Sequence, residues 1–271
     1  MEDCIRTPVE VTDSLKCIDI CEKTAMLAEL IGKTDLSEKA KAFAETIRQS
    51  FKAKYIRDGK LTVEEQTALA YALYYKAAEE YTENMQKQLL DVIARDGDVF
   101  IIGVLGARTL FRVLSDMGEN DLAYKLITQP KFPSYGFHVL RGATSLFEQF
   151  YPLKEGAWQK ANGSSHDSLN HHFWGDVSAW FIIYLAGINV APDFCPNHVT
   201  IAPNFIAALQ FAEGKFTHTL GEIVSRWERR SDGKICLDIT LPEGVEAKLR
   251  LPKEYGGEER PLCAGTQQII L

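Results

Sequence analysis

Hydrophobic positions in the first two thirds of the chain recur at the three-and-four spacing of helices, whereas those near its end alternate one by one. Two kinds of structure are therefore predicted. Cys17, Cys21, Leu27 and Ile31 sketch a first helix closed by Gly32. Ala40, Phe43, Ile47 and Phe51 sketch a second, which Asp35 and Glu38 would open as a capping box, and the two make a helical hairpin. The layout recurs: Leu69, Leu73 and Ala77 follow Glu64 and Glu65, and Met85, Leu89, Val92 and Ile93 follow Thr82, with Gly97 as the stop. A third pair is predicted from about Ala107 to Met117 and from Asn120 to Thr128, divided by Gly118. Further helices are predicted around Gly142 to Tyr151 and from Asp176 to Leu185. No repeat of fixed length underlies these hairpins; their succession with uneven loops is what one arc of an α/α toroid would give.

After Gly187 the period changes. Ile235, Leu237, Ile239 and Leu241 alternate with Cys236, Asp238 and Thr240, and Val245, Ala247, Leu249 and Leu251 alternate with Glu246, Lys248 and Arg250. With Pro242-Glu243-Gly244 as the turn, the two runs predict a hairpin. Ser231-Asp232-Gly233 is a second turn, reaching back to a strand from Ile223 to Trp227, and shorter strands are predicted at Val199 to Ile201 and Gln267 to Leu271. The chain reads as mainly α, a partial toroid over residues 1–192 followed by a C-terminal antiparallel β-sandwich over residues 193–271, with the boundary near Pro192.

Composition narrows the function more than the fold. Of 271 residues 46% are hydrophobic and 25% charged, an ordinary globular balance. The net charge of -7, with no stripe of Lys and Arg, argues against a nucleic-acid partner. The longest apolar stretch, Ala179 to Ile188, is too short to span a bilayer. The acidic start, Met1-Glu2-Asp3-Cys4, does not read as a secretory signal, so a cytoplasmic protein is expected if Met1 is the true start. Six scattered cysteines form neither a disulfide scaffold nor zinc-type pairs and read as small buried hydrophobes. His166, His171 and His172 match no metal-ligand spacing, and no metal or other cofactor is expected.

The chemistry concentrates between Lys131 and Ile188, where aromatics, glycines, one carboxylate and histidines interleave. Phe132-Pro133-Ser134-Tyr135-Gly136-Phe137 is followed by Gly142-Ala143-Thr144-Ser145-Leu146-Phe147-Glu148, then by Ser168-Leu169-Asn170-His171, then by Leu185-Ala186-Gly187-Ile188. In these four blocks the chain resembles the α-L-rhamnosidase family of glycoside hydrolases. Glu65 to Ala70, Gly103 to Gly106 and Asp121 to Tyr124 look like further family landmarks, so the likeness covers most of the chain.

The resemblance implies a six-hairpin (α/α)6 toroid followed by a β-sandwich, and inverting hydrolysis of terminal α-L-rhamnosides. In that scheme one carboxylic acid protonates the leaving oxygen while an opposed carboxylate activates water. The Glu closing the second block is the general base, which here is Glu148. Such a base must stay ionised yet face a partly dry pocket, and Phe147 and Phe150 would supply the dryness. Without the motif, a Glu on a helix would be read as a solvated surface charge.

His171, paired with Asn170, matches the family position that hydrogen-bonds the sugar; the alternative is a core or capping histidine. Tyr135 stands where the family has Trp and would set an aromatic face against the ring, unless it is plain packing. Phe147 likewise replaces Trp, and Ile102 stands where the family tends to have Thr, which bears on sugar specificity more than on fold.

Nothing in the sequence matches the acidic loop that carries the family's general acid, and the hairpins are roughly half of those a closed toroid needs. The expected partners are a rhamnose-containing glycoside together with a missing N-terminal half, or a self-associating interface at the open edge. The competing readings are a non-catalytic carbohydrate-binding or structural remnant and a related six-hairpin glycosidase acting on another sugar.

Overall fold

A computed structural model of the protein describes residues 7–148, 168, 170–192 and 194–271. The chain divides into two compact units: residues up to 117 together with 126–174, and residues 118–125 together with 175–271.

The first unit is helical. Helix α1 (Val9–Leu30) and helix α2 (Thr34–Tyr55) form the predicted hairpin, turning at Gly32, whose φ of 70° suits a residue without Cβ. The buried stripe of α1 is Val11, Leu15, Ile18, Ala25 and Ala28. Cys17 and Cys21 are only partly buried, and Leu27 and Ile31 stand out in solvent, so the predicted face was set on the wrong side of the helix. Both stripes obey helical spacing, which is why periodicity did not separate them.

In α2 the buried line is Ser37, Ala44, Phe51 and Tyr55, while Phe43 is exposed. The expected capping box is absent. Lys33 is the cap residue, its carbonyl accepts from the amides of Leu36 and Ser37, and Asp35 already lies inside the first turn. There its carboxylate still favours the positive end of the helix dipole.

A two-residue ribbon of β1 (Ile56–Arg57) and β2 (Lys60–Leu61) leads to α3 (Gln66–Tyr74), which is buried all round at Ala68, Leu69, Ala70, Tyr71 and Ala72. Gln66 is fully buried yet satisfied: its amide donates to Asp96 Oδ2 at 2.9 Å and Val99 O at 3.0 Å, and its carbonyl accepts from Ile101 N at 2.9 Å. One side chain thus ties the start of α3 to the loop ahead of α5. Helix α4 (Thr82–Arg95) buries Met85, Leu89, Val92 and Ile93, the positions expected of it. Helix α5 (Val104–Asp116) packs on α3, as does α1. Helices α6 (Asn120–Thr128) and α7 (Tyr135–Leu140) follow.

The helix expected around Gly142 to Tyr151 does not form over its described part. Gly142 has φ of 83°, and residues 146–148 spend their backbone groups on the segment 168–171 instead. Residues 149–151 lie outside the described residues.

The second unit is a sandwich entered through α8 (Asp176–Trp180), which continues as a wider π-type turn, Phe181–Leu185. The element expected from Asp176 to Leu185 is therefore present. One sheet has the order β10-β7-β6-β5, from β5 (Phe211–His218), β6 (Gly221–Arg229), β7 (Ile235–Leu241) and β10 (Gly265–Ile270), all antiparallel. The other has the order β3-β4-β8-β9, from β3 (Ile188–Val190), β4 (His198–Ile201), β8 (Glu246–Arg250) and β9 (Glu259–Leu262). The core lies between them, with Ile223, Trp227, Ile235, Leu237, Ile239, Val199, Ile201 and Leu249 buried. Trp227 closes it by donating its indole N–H to Leu185 O at 3.0 Å.

Two sheet expectations are corrected. The runs around Pro242-Glu243-Gly244 are not a hairpin: β7 pairs with β6 and β10, β8 pairs with β4 and β9, and the turn is a corner from one sheet to the other. Alternation reports which residues point inward, and both strands bury one face in the same core, so it says nothing about which strand lies alongside. The sandwich is also not wholly antiparallel, since β4 and β8 run parallel from His198 opposite Glu246 to Ile201 opposite Leu249. The Ser231-Asp232-Gly233 turn does join β6 to β7, and the closing strand is present as β10.

Candidate active site around Glu148

The site begins with Ser134. Its side chain accepts from Phe137 N at 2.8 Å and donates to Gln129 O at 2.5 Å, capping α7 and fixing the entry to it. Gly136 follows because there is no room for more: a Cβ there would lie 2.1 Å from Thr128 O. With α7 pressed this closely, Tyr135 is directed inward. It is only 7% exposed, its hydroxyl donates to Trp174 O at 3.0 Å, and its ring meets Phe100 at 5.7 Å and Phe111 at 6.2 Å. Trp174 completes this aromatic cluster, 6.2 Å from Tyr135 and 6.4 Å from Phe100.

From that cluster a polar path leads to Glu148. The Trp174 indole N–H donates to Glu148 O at 2.9 Å. Glu148 N donates to Ser168 O at 2.8 Å, and Ser168 N donates back to the Glu148 carboxylate at Oε2, 2.9 Å away. Three residues beyond Ser168, His171 N donates to Leu146 O at 2.6 Å. The segments 146–148 and 168–171 are thus laced together by backbone and carboxylate bonds. A backbone N–H aimed at a carboxylate oxygen is a charge-assisted bond that fixes the group's orientation.

This lacing brings three of the five expected site residues together. Glu148 is half-buried, His171 is half-buried with its ring 4.9 Å from Phe173, and Asn170 is exposed, its backbone N–H donating to Ser168 Oγ at 3.2 Å. The other two stand elsewhere. Tyr135 is in the aromatic cluster with its hydroxyl committed, and Phe147 is buried against Phe137 with Phe132 and Ala143 beside them. Of the remaining residues weighed from the sequence, Phe150 and His166 lie outside the described residues, and His172 is exposed, 4.5 Å from Phe173. Among the described residues no three His, Cys, Asp or Glu side chains come together as a metal site.

Three contributors were not singled out from the sequence. Ser168 holds Glu148 through its backbone N–H and carbonyl, which no side-chain pattern reveals. Trp174 lies three residues beyond His171, and its bond to Glu148 O distinguishes it from an ordinary core aromatic. His138 is buried behind Phe147, its ring 5.9 Å away, with Nδ1 3.2 Å from Ser134 O. Burial pushes its imidazole pKa below the usual value, the Ser134 carbonyl opposes this, and the nearby Arg141 adds to it. The Arg141 guanidinium lies over the Phe137 ring, 3.5 Å from its centroid. Phe147, the chain neighbour of Glu148, is thus packed among aromatic rings that include the buried imidazole.

Residues 4–185 match the family model described as the bacterial alpha-L-rhamnosidase 6 hairpin glycosidase domain, and residues 195–261 the bacterial alpha-L-rhamnosidase C-terminal domain. An alpha-L-rhamnosidase of Formosa agariphila is 29% identical over 237 residues, 85% of this chain and 25% of that protein. One of Streptomyces avermitilis is 27% identical over 253 residues, 92% of this chain and 24% of its own length. The chain therefore spans about a quarter of these curated relatives.

Among solved structures, the Streptomyces avermitilis alpha-L-rhamnosidase complexed with L-rhamnose superposes with a TM-score of 0.86 at 22% identity, covering 98% of this chain and 27% of that one. The native enzyme of Aspergillus terreus superposes with a TM-score of 0.84 at 23% identity, covering 94% of this chain and 29% of that one. At such identities the likeness is one of fold, a share of the six-hairpin toroid and the β-sandwich after it. With a family model matching most of its length, the chain belongs to the bacterial α-L-rhamnosidase six-hairpin glycosidase family and is a C-terminal portion of such a protein.

Proposed function

We propose that the protein is the C-terminal portion of an inverting glycoside hydrolase acting on terminal α-L-rhamnosides, with Glu148 as its general base. The observation that carries this reading is the held carboxylate. Glu148 Oε2 accepts from Ser168 N at 2.9 Å, on the segment that also bears Asn170 and His171. A base must be aimed as well as present, and one oxygen fixed by a backbone donor leaves the other to meet water.

In the proposed reaction Glu148 takes a proton from water, the water oxygen attacks the anomeric carbon, and the glycosidic oxygen leaves with a proton from a second carboxylic acid. Asn170 and His171 bind and orient the sugar hydroxyls, for which an imidazole and an amide each supply both donor and acceptor. Phe147 forms the dry wall behind the base rather than a stacking platform. Tyr135 acts one layer back, through Trp174. The second acid comes from polypeptide that precedes this portion in its relatives.

The test is hydrolysis of an aryl α-L-rhamnoside. This chain alone is expected to be inactive and to gain turnover with the N-terminal portion. Glu148→Gln should then remove turnover by about 100-fold or more, the contribution of a positioned acid-base group. Turnover that survives Glu148→Gln removes Glu148 from the mechanism. Sugar binding with no turnover in the complete protein would instead favour a carbohydrate-binding remnant.

A further inference from the structure

Trp174 links the aromatic core of the helical unit to Glu148. It lies in a 3-10 turn (His172–Gly175) just past His171 and is only 3% exposed. Its ring stacks at 29° on Phe100, 6.4 Å away, and meets Tyr135 of α7 nearly edge-on, at 76° and 6.2 Å. Its carbonyl accepts from the Tyr135 hydroxyl at 3.0 Å. Ring and backbone are thus pinned by residues that are themselves buried in the core.

A buried tryptophan needs an acceptor for its one N–H, and packing alone does not say where that acceptor should be. Here it is Glu148 O, at 2.9 Å. The other contacts of Glu148 show what the bond adds. Its amide donates to Ser168 O and its carboxylate accepts from Ser168 N, while His171 N donates to Leu146 O. These bonds hold segments 146–148 and 168–171 to each other, and would let the two shift together. Phe147 anchors them by apolar packing on Phe137, which has no preferred direction. A hydrogen bond does have one. The indole N–H therefore supplies a directional fix of the Glu148 backbone against the core.

We infer that Trp174 is a positioning residue, whose indole N–H fixes the main chain at Glu148 and so sets the aim of the carboxylate that takes a proton from water. The inference rests on the reading of Glu148 as general base and adds what aims that base. Trp174 also touches the sugar-holding segment, but by a different atom: its backbone N–H donates to His171 O at 3.4 Å. Loss of the indole N–H leaves that bond in place. The effect therefore falls on kcat and not on KM.

The test divides the indole into its two parts, in the active assembly of this chain with its N-terminal portion. Trp174→Phe keeps a ring in the cluster and loses the N–H. Trp174→His keeps an N–H, its Nε2 standing at the ring position of the indole nitrogen, and loses the six-membered ring. Trp174→Phe should lower kcat about 10-fold with KM nearly unchanged, less than the roughly 100-fold that a misplacement of about 1 Å can cost, because Ser168 still holds the carboxylate. Trp174→His should recover most of that kcat while melting below Trp174→Phe, so activity and stability rank the two in opposite order. In this chain alone, amide hydrogen exchange at Ser168 should quicken in Trp174→Phe and stay slow in Trp174→His.

A kcat that follows stability across the two variants overturns the inference, for Trp174 would then be an ordinary core aromatic. A raised KM with kcat unchanged overturns it as well, and so does exchange at Ser168 that is indifferent to Trp174→Phe. Turnover that survives Glu148→Gln overturns the reading beneath it instead, and exchange at Ser168, which needs no turnover, tells the two failures apart.

Discussion

Along β6 of the sandwich, Ile223, Ser225 and Trp227 all vanish from solvent, and along α1 Ile20, Leu27 and Ile31 all stay in it. Both elements carry apolar residues at the period proper to their structure, so the difference is not one of pattern. It is one of partners. Strand β6 has β5 and β7 beside it and a second sheet across the core, so that its apolar face is covered within its own unit. Helix α1 packs chiefly on α2 and α3, which leave Ile20, Leu27 and Ile31 exposed. Sandwiches close on themselves, whereas one arc of a ring leaves a face open.

The comparison breaks most readily at Trp227. Replacing it by Ala should cost about 3–5 kcal/mol of stability, the usual loss for an aromatic core residue, measured as a shift in the denaturant midpoint. By contrast Leu27→Glu should leave this chain's own midpoint within about 0.5 kcal/mol, since the side chain is already more than half exposed. Equal losses at the two positions would mean that α1 is covered after all.

A smaller effect is expected in the path to Glu148. Tyr135→Phe removes only the hydroxyl that donates to Trp174 O, and should cost about 1 kcal/mol of stability. In the active assembly it should lower kcat while leaving KM nearly unchanged, because what moves is the base and not a sugar contact. A raised KM with kcat unchanged would return Tyr135 to the substrate.

The smallest effect is one of pH. His138 has its pKa lowered in the folded state by burial, so the unfolded chain takes up this proton first as pH falls. Its neutral form thus favours folding above the ordinary histidine value of about 6.5, and this contribution shrinks as pH falls through that value toward the lower folded one. The melting midpoint should fall on acidification, and His138→Phe should flatten that part of the slope. An unchanged slope would show that His138 is not the group responsible.

How much was legible beforehand differs by kind of feature. The helices of the first hairpin, the buried positions of α4 and the inward positions of β7 and β8 followed from periodicity, because burial on one face imposes it. The hairpin at Pro242-Glu243-Gly244 did not survive, since partner choice depends on strands as distant as His198 to Ile201 and Glu259 to Leu262. The same limit applied to α1, where Leu27 and Ile31 belonged to a second stripe and not to the core.

At the candidate site, the blocks around Glu148 and His171 drew attention to the right loops, but their lacing runs through backbone atoms of Ser168 and Leu146 that carry no side-chain signal. Sequence by itself determined which residues are apolar, at what period, and which stretches hold the chemistry-bearing groups, because these are properties of neighbours along the chain. Tertiary structure alone decided which stripe of α1 faces the core, which strands pair, and that Tyr135 turns inward while Glu148 is held by Ser168. Each of those depends on what the fold brings alongside.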